Sequence, residues 1–252
     1  MTKYNENKQE IGGRMKFSYN IINATEEEEN SINLIISYIA DNYNKKIDIE
    51  KLKQIEVVDK LDNNSSGRSI RDKIILPRKY GLEGIEEIKD LLSEKERNIK
   101  LKILIGTIYH ELWHVSTWHK YEAMYEYVLD EENSEIFVAY AYMYWIEYIA
   151  NIETVFIKVP ERMREFCVNF VYTEWYKMEY GYSHFIKALP YYLIRSQYLN
   201  LFEDLTQKIE CDELRKAVYD FDNTSKCLLN NTNIDDIKKA DIIKNLIEEL
   251  FA

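Results

Sequence analysis

Glycine and proline are scarce along this chain, and their scarcity constrains its fold more than any other feature. Only 7 glycines and 3 prolines stand among 252 residues, although both residues concentrate in turns and interrupt regular structure. Together with many leucine, isoleucine, glutamate and lysine residues, this composition indicates a mostly helical protein. Because 46% of the residues are hydrophobic, the chain can bury a core without disulfides or a structural metal.

The charge and cysteine content exclude several classes of protein. The formal net charge is −11 and no long Lys/Arg stripe is present, so direct nucleic-acid binding, which needs a basic face, is disfavoured. Cys167, Cys211 and Cys227 form no CxxC pair, and free thiols are typical of a reducing compartment.

The polar N-terminus predicts no signal peptide, and no apolar run is long enough for a membrane span. We therefore expect a cytoplasmic protein without a membrane partner.

The hydrophobic pattern predicts a small β region followed by a long helical region. Residues 1–23 are polar and predict a flexible N-terminal arm, and Thr25 followed by Glu26–Glu29 is typical of a capped helix start. A short helix is predicted from residue 47. Three short strands, at residues 57–58, 69–70 and 73–76, predict a small antiparallel sheet. From residue 82 onward, the apolar spacing predicts helices over 82–92, 96–118, 132–158, 161–180, 184–203, 205–220 and 233–251.

These elements together indicate a mostly helical α+β fold. We expect one domain over residues 24–158, in which the small β-sheet packs on the 96–118 helix. We expect residues 159–252 to form a helical C-terminal extension that packs on the same core. The sequence shows no internal repeat and no segment with the composition of a linker.

Two of the four histidines stand in the run His110-Glu111-Leu112-Trp113-His114. On a helix, residues i and i+4 lie one above the other on one face, so both imidazoles can bind the same Zn²⁺ ion. Zinc lowers the pKa of a bound water to about 7 and polarises a carbonyl group. Glu111 is the candidate general base, which carries the proton of that water to a leaving amine. The uncharged flanks, Thr107–Tyr109 and Val115, suit a buried metal helix.

A catalytic zinc ion usually takes three protein ligands, so this motif needs one more. His119 is one residue too early for the metzincin spacing, and a continued helix places it opposite His110. A carboxylate from the following helix, as in thermolysin-like gluzincins, fits better. Glu135, 21 residues after His114, is the predicted third ligand. Other acids stay open as alternatives: Glu131, Glu132 and, further along the chain, Glu147.

A tetrahedral oxyanion also needs a hydrogen-bond donor such as Tyr, His or Arg beside the zinc. His184, flanked by Tyr180 and Tyr182, is one candidate. Arg195 and Tyr198, one turn apart on a predicted helix, are the other. The predicted catalytic residues are therefore Glu111, His184, Arg195 and Tyr198. Ordinary structural roles stay open, for His184 as a packing histidine and for Arg195 as an ion-pair partner.

Five short motifs follow one another in an order that is typical of one peptidase family. They are Ile47–Leu52, Ile55–Val58, Ser66–Ser69, Asp72–Pro77 and His110–His114. In this order, residues 30–140 resemble the ImmA/IrrE-like metallopeptidases, whose domain runs helix, short helix, strand, strand and HExxH helix. The resemblance implies the same order of elements here. It also implies that His110, His114 and Glu135 are zinc ligands and that Glu111 is the general base.

Members of that family are cytoplasmic zinc endopeptidases, and several cleave a transcriptional repressor. The resemblance therefore implies a zinc-dependent endopeptidase whose substrate is a protein or peptide, such as a repressor. One alternative is a non-catalytic metal-binding interaction protein with a vestigial protease site, in which the Tyr-rich helices after residue 120 bind a partner. Another is a toxin-type protease, from a more distant similarity to clostridial neurotoxin light chains at His110–His114 and Arg195–Tyr198.

Overall fold

The fold is that of a computed structural model, which describes residues 19–43, 47–61, 66–78, 96–129 and 135–252. The chain divides into two compact units. The N-terminal unit comprises Met1–Lys120 and Ile157–Val159, and the C-terminal unit comprises Tyr121–Phe156 and Pro160–Ala252. The described residues are mostly helical and include a small sheet, as the composition predicts.

The N-terminal unit contains a four-stranded mixed sheet. Its strands are β1 (Asn20–Ile22), β2 (Gln54–Val58), β3 (Arg68–Ile70) and β4 (Lys73–Pro77), in the order β1-β2-β4-β3. The β1–β2 and β2–β4 pairs are parallel, and only β3 and β4 pair antiparallel. The prediction of an antiparallel sheet is therefore wrong for two of these three pairings. Buried residues alternate along β2 and β4 and line one face of the sheet: Ile55, Val57, Ile74 and Leu76.

Strand β1 lies within the segment that was predicted to be a flexible arm. Its residues pair with residues 54–56, and the amide of Asn20 donates to the carbonyl of Lys53 at 2.9 Å. The arm prediction is therefore wrong for residues 20–22, because pairing with β2 satisfies the backbone hydrogen-bonding groups of these residues. Residues 1–18, which make up most of the predicted arm, lie outside the described residues.

Helix α1 (Glu26–Tyr43) begins where the capping signal predicts. The amide of Glu28 donates to Thr25 Oγ1 at 3.2 Å, and the amide of Thr25 donates to Glu28 Oε2 at 2.8 Å. This reciprocal pair is a capping box. The Glu28 carboxylate is buried and also accepts a hydrogen bond from Arg78 Nε at 2.9 Å, so its charge is compensated.

Helix α2 (Glu96–Thr117) matches the predicted 96–118 helix and carries the histidine motif. It neighbours strands β3 and β4 and the short 3₁₀ helix Ile49–Lys51. The amide of Asp48, which caps that short helix, donates to Ser116 Oγ at 2.7 Å. At the other side of the motif, Lys158 Nζ donates to the carbonyl of Gly106 at 3.1 Å. These two hydrogen bonds tie both halves of α2 to its neighbours in the N-terminal unit.

The C-terminal unit is helical throughout its described part. Its helices are α3 (Glu122–Leu129), α4 (Ile136–Thr154), α5 (Pro160–Tyr172), α6 (Gly181–Tyr198), α7 (Phe202–Thr206), α8 (Asp212–Asn230) and α9 (Asp236–Phe251). Helix α4 packs against α3, α6 and α9, and α5 packs against α6. Large aromatic side chains fill this core: Tyr144, Trp145, Tyr148, Phe185 and Tyr192. Because α3 and α4 belong to this core, the compact unit begins at residue 121 and not at the predicted boundary at 159.

The predicted helix over 205–220 is two helices, α7 and α8. The chain turns between them at Ile209, which is buried, and Arg215 Nη1 donates to the Ile209 carbonyl at 2.6 Å. Asp212 and Glu213 then stand in the first turn of α8, where the helix dipole favours acids.

The predicted helix over 82–92 lies outside the described residues. Among the described helices, none combines the length and the apolar character that a membrane span requires.

Candidate metal centre

The two motif histidines lie side by side on α2, and both are buried. His110 Nε2 and His114 Nε2 are 3.2 Å apart, and the ring planes meet at 82°. Two nitrogens that each bind a tetrahedral zinc ion at about 2.0–2.1 Å lie about 3.3 Å from each other. The separation of the two nitrogens therefore fits a shared zinc ion, and imidazole nitrogen is a preferred zinc ligand.

Neighbouring residues contact the His114 ring and the Glu111 side chain. The Trp113 ring meets the His114 ring edge-on, with centroids 5.3 Å apart. Glu111 is 8% exposed although it carries a carboxyl group. The backbone at Gly67, just before β3, runs close to the Glu111 side chain, since a Cβ on Gly67 would lie 3.3 Å from Glu111 Oε1. His119 is exposed in the 3₁₀ turn that follows α2, which agrees with its interpretation as a non-ligand.

The predicted third ligand, Glu135, belongs to the C-terminal unit and lies at the N-terminal end of α4. Its side chain is 73% exposed, and Lys244 Nζ is 3.3 Å from Glu135 Oε2. This hydrogen bond raises the pKa of Lys244 above its ordinary value, and Glu248 adds to the effect. Exposed ion pairs contribute little to stability. Glu131 and Glu132 lie outside the described residues.

Glu147, one of the open alternatives, lies two turns before the end of α4 and is half-buried. The hydroxyl of Tyr191, on α6, donates to Glu147 Oε2 at 2.7 Å. A hydrogen bond of this kind holds a carboxylate in one orientation, as the hydrogen-bond partners of metal ligands commonly do. Glu147 is therefore a carboxylate with a fixed orientation, whereas Glu135 is an exposed one.

Arg195 lies beside the same tyrosine within the C-terminal unit. Its guanidinium carbon is 4.7 Å from the centre of the Phe166 ring and 4.9 Å from that of Tyr191. The Nε atom is buried and has no hydrogen-bond partner among the described residues. Burial lowers the pKa of Arg195 from its ordinary value, and Tyr191, Cys167 and Glu147 oppose that shift. An arginine stays charged at neutral pH even so.

The other two predicted catalytic residues are exposed. His184 lies in the first turn of α6, with Nδ1 2.9 Å from the carbonyl oxygen of Tyr180. Tyr198, the last residue of α6, is 48% exposed. Arg195 and Tyr198 lie one turn apart as predicted, but the tyrosine ring that stacks on the guanidinium is that of Tyr191. Within the C-terminal unit, the structure thus brings Arg195 together with Tyr191 and Phe166.

Two residues that contact candidate site residues, each within its own unit, were missed from the sequence: Gly67 and Tyr191. Tyr191 stands four residues before Arg195, so the helical spacing is a signal that the two side chains meet. It is nonetheless one of 21 tyrosines, and spacing alone does not distinguish it. Gly67 was recognised as part of a short motif, but its contact with Glu111 depends on the packing of a strand end against a helix.

Cys167 is fully buried, as the apolar sequence around it predicts. Burial raises the pKa of its thiol to about 12, with Arg195 opposing the shift. The thiol is therefore protonated at neutral pH, and Cys167 packs as a small hydrophobic residue rather than acting as a nucleophile.

Comparison with family models, with curated proteins and with solved structures gives no match to this chain. Its function must therefore be inferred from the residues themselves.

Proposed function

We propose that this chain is a zinc-dependent endopeptidase. The observation that carries the proposal is the pair of buried histidine nitrogens 3.2 Å apart on α2, with Glu111 next to His110 in the same helix. This is the ligand type, spacing and neighbouring carboxylate that zinc peptidases of the HExxH class require. The resemblance to ImmA/IrrE-like peptidases suggests a regulatory protein, such as a transcriptional repressor, as the substrate.

Each residue of the motif has a distinct chemical task in this proposal. His110 and His114 would hold the zinc ion, which would polarise the scissile carbonyl and make a water molecule acidic. Glu111 accepts the proton of the attacking water and delivers it to the leaving amine. Burial of the motif strengthens these electrostatic interactions because little solvent screens them. Arg195, His184 and Tyr198 stay predictions as donors to the oxyanion.

The third ligand is proposed to be Glu147, with Glu135 as the alternative. Glu147 is half-buried and held by the Tyr191 hydroxyl, which is the environment typical of a carboxylate ligand. Glu135 is 73% exposed and paired with Lys244, so its carboxylate would have to exchange that ion pair for the metal. Both residues belong to the helix from which the gluzincin pattern takes its carboxylate.

The general base is tested by replacing Glu111 with glutamine. Glu111→Gln removes the base and keeps the shape of the side chain, so we expect one zinc ion per chain and no hydrolysis of fluorogenic peptides of mixed sequence. Glu161→Gln, the same change at an exposed position of α5, serves as the control and should behave as wild type. Hydrolysis by Glu111→Gln at the wild-type rate would contradict the proposed mechanism.

The third ligand is tested by measuring zinc in two further variants. Glu147→Gln should lose zinc on dialysis against a weak chelator, whereas Glu135→Gln should keep one zinc ion per chain. The reverse result would make Glu135 the ligand. Retention of zinc by both variants would assign the third position to another acid, such as Glu132.

A second candidate function is a metal-binding interaction protein without catalysis. Large side chains are exposed along residues 172–180, from the last residue of α5 onward, where Tyr172 is 62% exposed and Tyr180 is 72% exposed. Tyr176 and Met178 between them are also exposed, and clustered exposed apolar side chains often mark an interaction site. Wild-type protein that binds one zinc ion but hydrolyses no peptide would favour this function over the peptidase.

A further inference from the structure

The backbone at Gly67 meets helix α2 on the face that carries Glu111. A Cβ placed on Gly67 would lie 2.8 Å from Thr107 Cγ2, 3.0 Å from Glu111 Cγ and 3.3 Å from Glu111 Oε1. Carbon atoms in favourable contact are about 3.5–4.0 Å apart. Thr107 and Glu111 are both buried and one helical turn apart, so they form a single surface that a side chain at position 67 would crowd.

We infer that Gly67 is a positioning residue for Glu111, an inference that rests on the proposed function of Glu111 as general base. The close approach of the Gly67 backbone confines the Glu111 side chain on one side. Glu111 is therefore kept in place beside His110 instead of turning toward the strand end. A methyl group at position 67 must displace Thr107, the Glu111 side chain or the segment around Gly67 by several tenths of an ångström.

Alanine at position 67 tests the inference without a backbone conflict. The φ angle of Gly67 lies outside the left-handed region, so alanine is allowed on conformational grounds and the crowding is the only perturbation. Misplacing a catalytic group by about 1 Å costs on the order of a hundredfold in rate. For Gly67→Ala we expect kcat to fall about 10- to 100-fold, with KM within about twofold of wild type and zinc content unchanged.

Gly106→Ala is the matched control, because it makes the same change on the same helix. A Cβ on Gly106 would meet its first neighbour, the Ile157 carbonyl oxygen, at 3.4 Å, which is an ordinary contact. This variant should keep the wild-type kcat and zinc content. A kcat for Gly67→Ala equal to that of Gly106→Ala would overturn the inference, provided that Glu111→Gln is inactive.

A double variant separates displacement of Glu111 from a general disturbance of α2. Thr107→Ala removes the atom of α2 that the new methyl group approaches most closely, and it leaves the contact with Glu111. Gly67→Ala/Thr107→Ala should therefore stay as impaired as Gly67→Ala. Recovery of the Thr107→Ala rate in the double variant would show that the methyl group acts by pushing the helix, and the inference would be wrong.

Crystal structures of zinc-loaded wild type and Gly67→Ala give a readout that does not depend on activity. We expect the Glu111 carboxylate to be displaced in the variant while His110 and His114 keep their positions. An unmoved Glu111, with the segment around residue 67 shifted instead, would overturn the inference. If the wild type hydrolyses no peptide, the proposed function fails, but these two structures still decide whether Gly67 positions Glu111.

Discussion

Removing the Tyr191 hydroxyl should weaken zinc binding if Glu147 is the third ligand. The hydroxyl donates to Glu147 Oε2 at 2.7 Å and fixes the carboxylate before the metal arrives. Without it, the side chain must be ordered when zinc binds, and fixing a glutamate side chain costs about 1.5–2 kcal/mol. That cost corresponds to about a 10- to 30-fold higher Kd. It lies within the about 10- to 100-fold effect of removing a hydrogen-bond partner of a metal ligand.

The assay is a competition between the protein and a chromophoric chelator for zinc, with Tyr191→Phe compared with wild type. Tyr172→Phe is the matched control, because Tyr172 is 62% exposed and should leave the zinc Kd unchanged. Urea unfolding of the metal-free proteins separates a loss of stability from a loss of metal affinity. A zinc Kd for Tyr191→Phe within twofold of wild type would refute the role of Tyr191 in orienting a ligand.

Three further predictions concern the fold itself. Glu28→Ala should lower the free energy of unfolding, measured by urea titration, by about 2–4 kcal/mol, because it removes a buried, charge-assisted capping box. The control Glu27→Ala, at an exposed position, should change it by less than about 0.5 kcal/mol. Equal effects of the two substitutions would contradict the role of the buried carboxylate. Burial raises the pKa of Tyr144 well above its ordinary value, and an unfolded tyrosine ionises near about pH 10. Above about pH 10, Tyr144 is therefore still protonated in the native state but ionised in the unfolded state, and the free energy of unfolding from urea titrations should fall as the pH rises. A free energy of unfolding that is constant from pH 8 to pH 10.5 would be inconsistent with this burial. A thiol reagent at pH 8 should label exposed Cys227 and leave Cys167 intact in native protein, and mass mapping that finds Cys167 labelled would show that it is accessible.

Helices and their starts were predictable because their signals are local. The start of α1 follows from Thr25 and the glutamates that come after it, and the bounds of α2 follow from the apolar spacing over 96–118. Both depend on residues within one or two turns of each other. The same reason makes His110, Glu111 and His114 recognisable, since helix geometry alone brings the two imidazoles together.

Strand pairing was less predictable because it depends on residues that are distant in sequence. Strand β1 has only three residues in a polar segment, and it is ordered by pairing with residues 54–56. The parallel alignment of β2 and β4 cannot be told from their sequences, since alternating hydrophobic residues suit either direction. The break between α7 and α8 likewise depends on the burial of Ile209 and not on a glycine or proline.

The same limit applies to the residues around the candidate site. Gly67 approaches Glu111, and Tyr191 hydrogen-bonds Glu147, and in both cases the partners are 44 residues apart in the sequence. No periodic pattern connects positions at such distances. The sequence therefore predicts the residues that could perform chemistry, whereas the residues that hold them in place emerge only from the packing.

The short outer strands of the sheet have a consequence for the behaviour of the protein at high concentration. Among the described strands, β1 and β3 form the two edges and have three residues each, whereas the five-residue strands β2 and β4 lie inside. Long, unpaired edges are templates on which a strand from another molecule can add. Edges this short offer few free amides and carbonyls, and β3 also exposes Arg68. We therefore expect that aggregation on heating starts from unfolded chains and not from the native sheet.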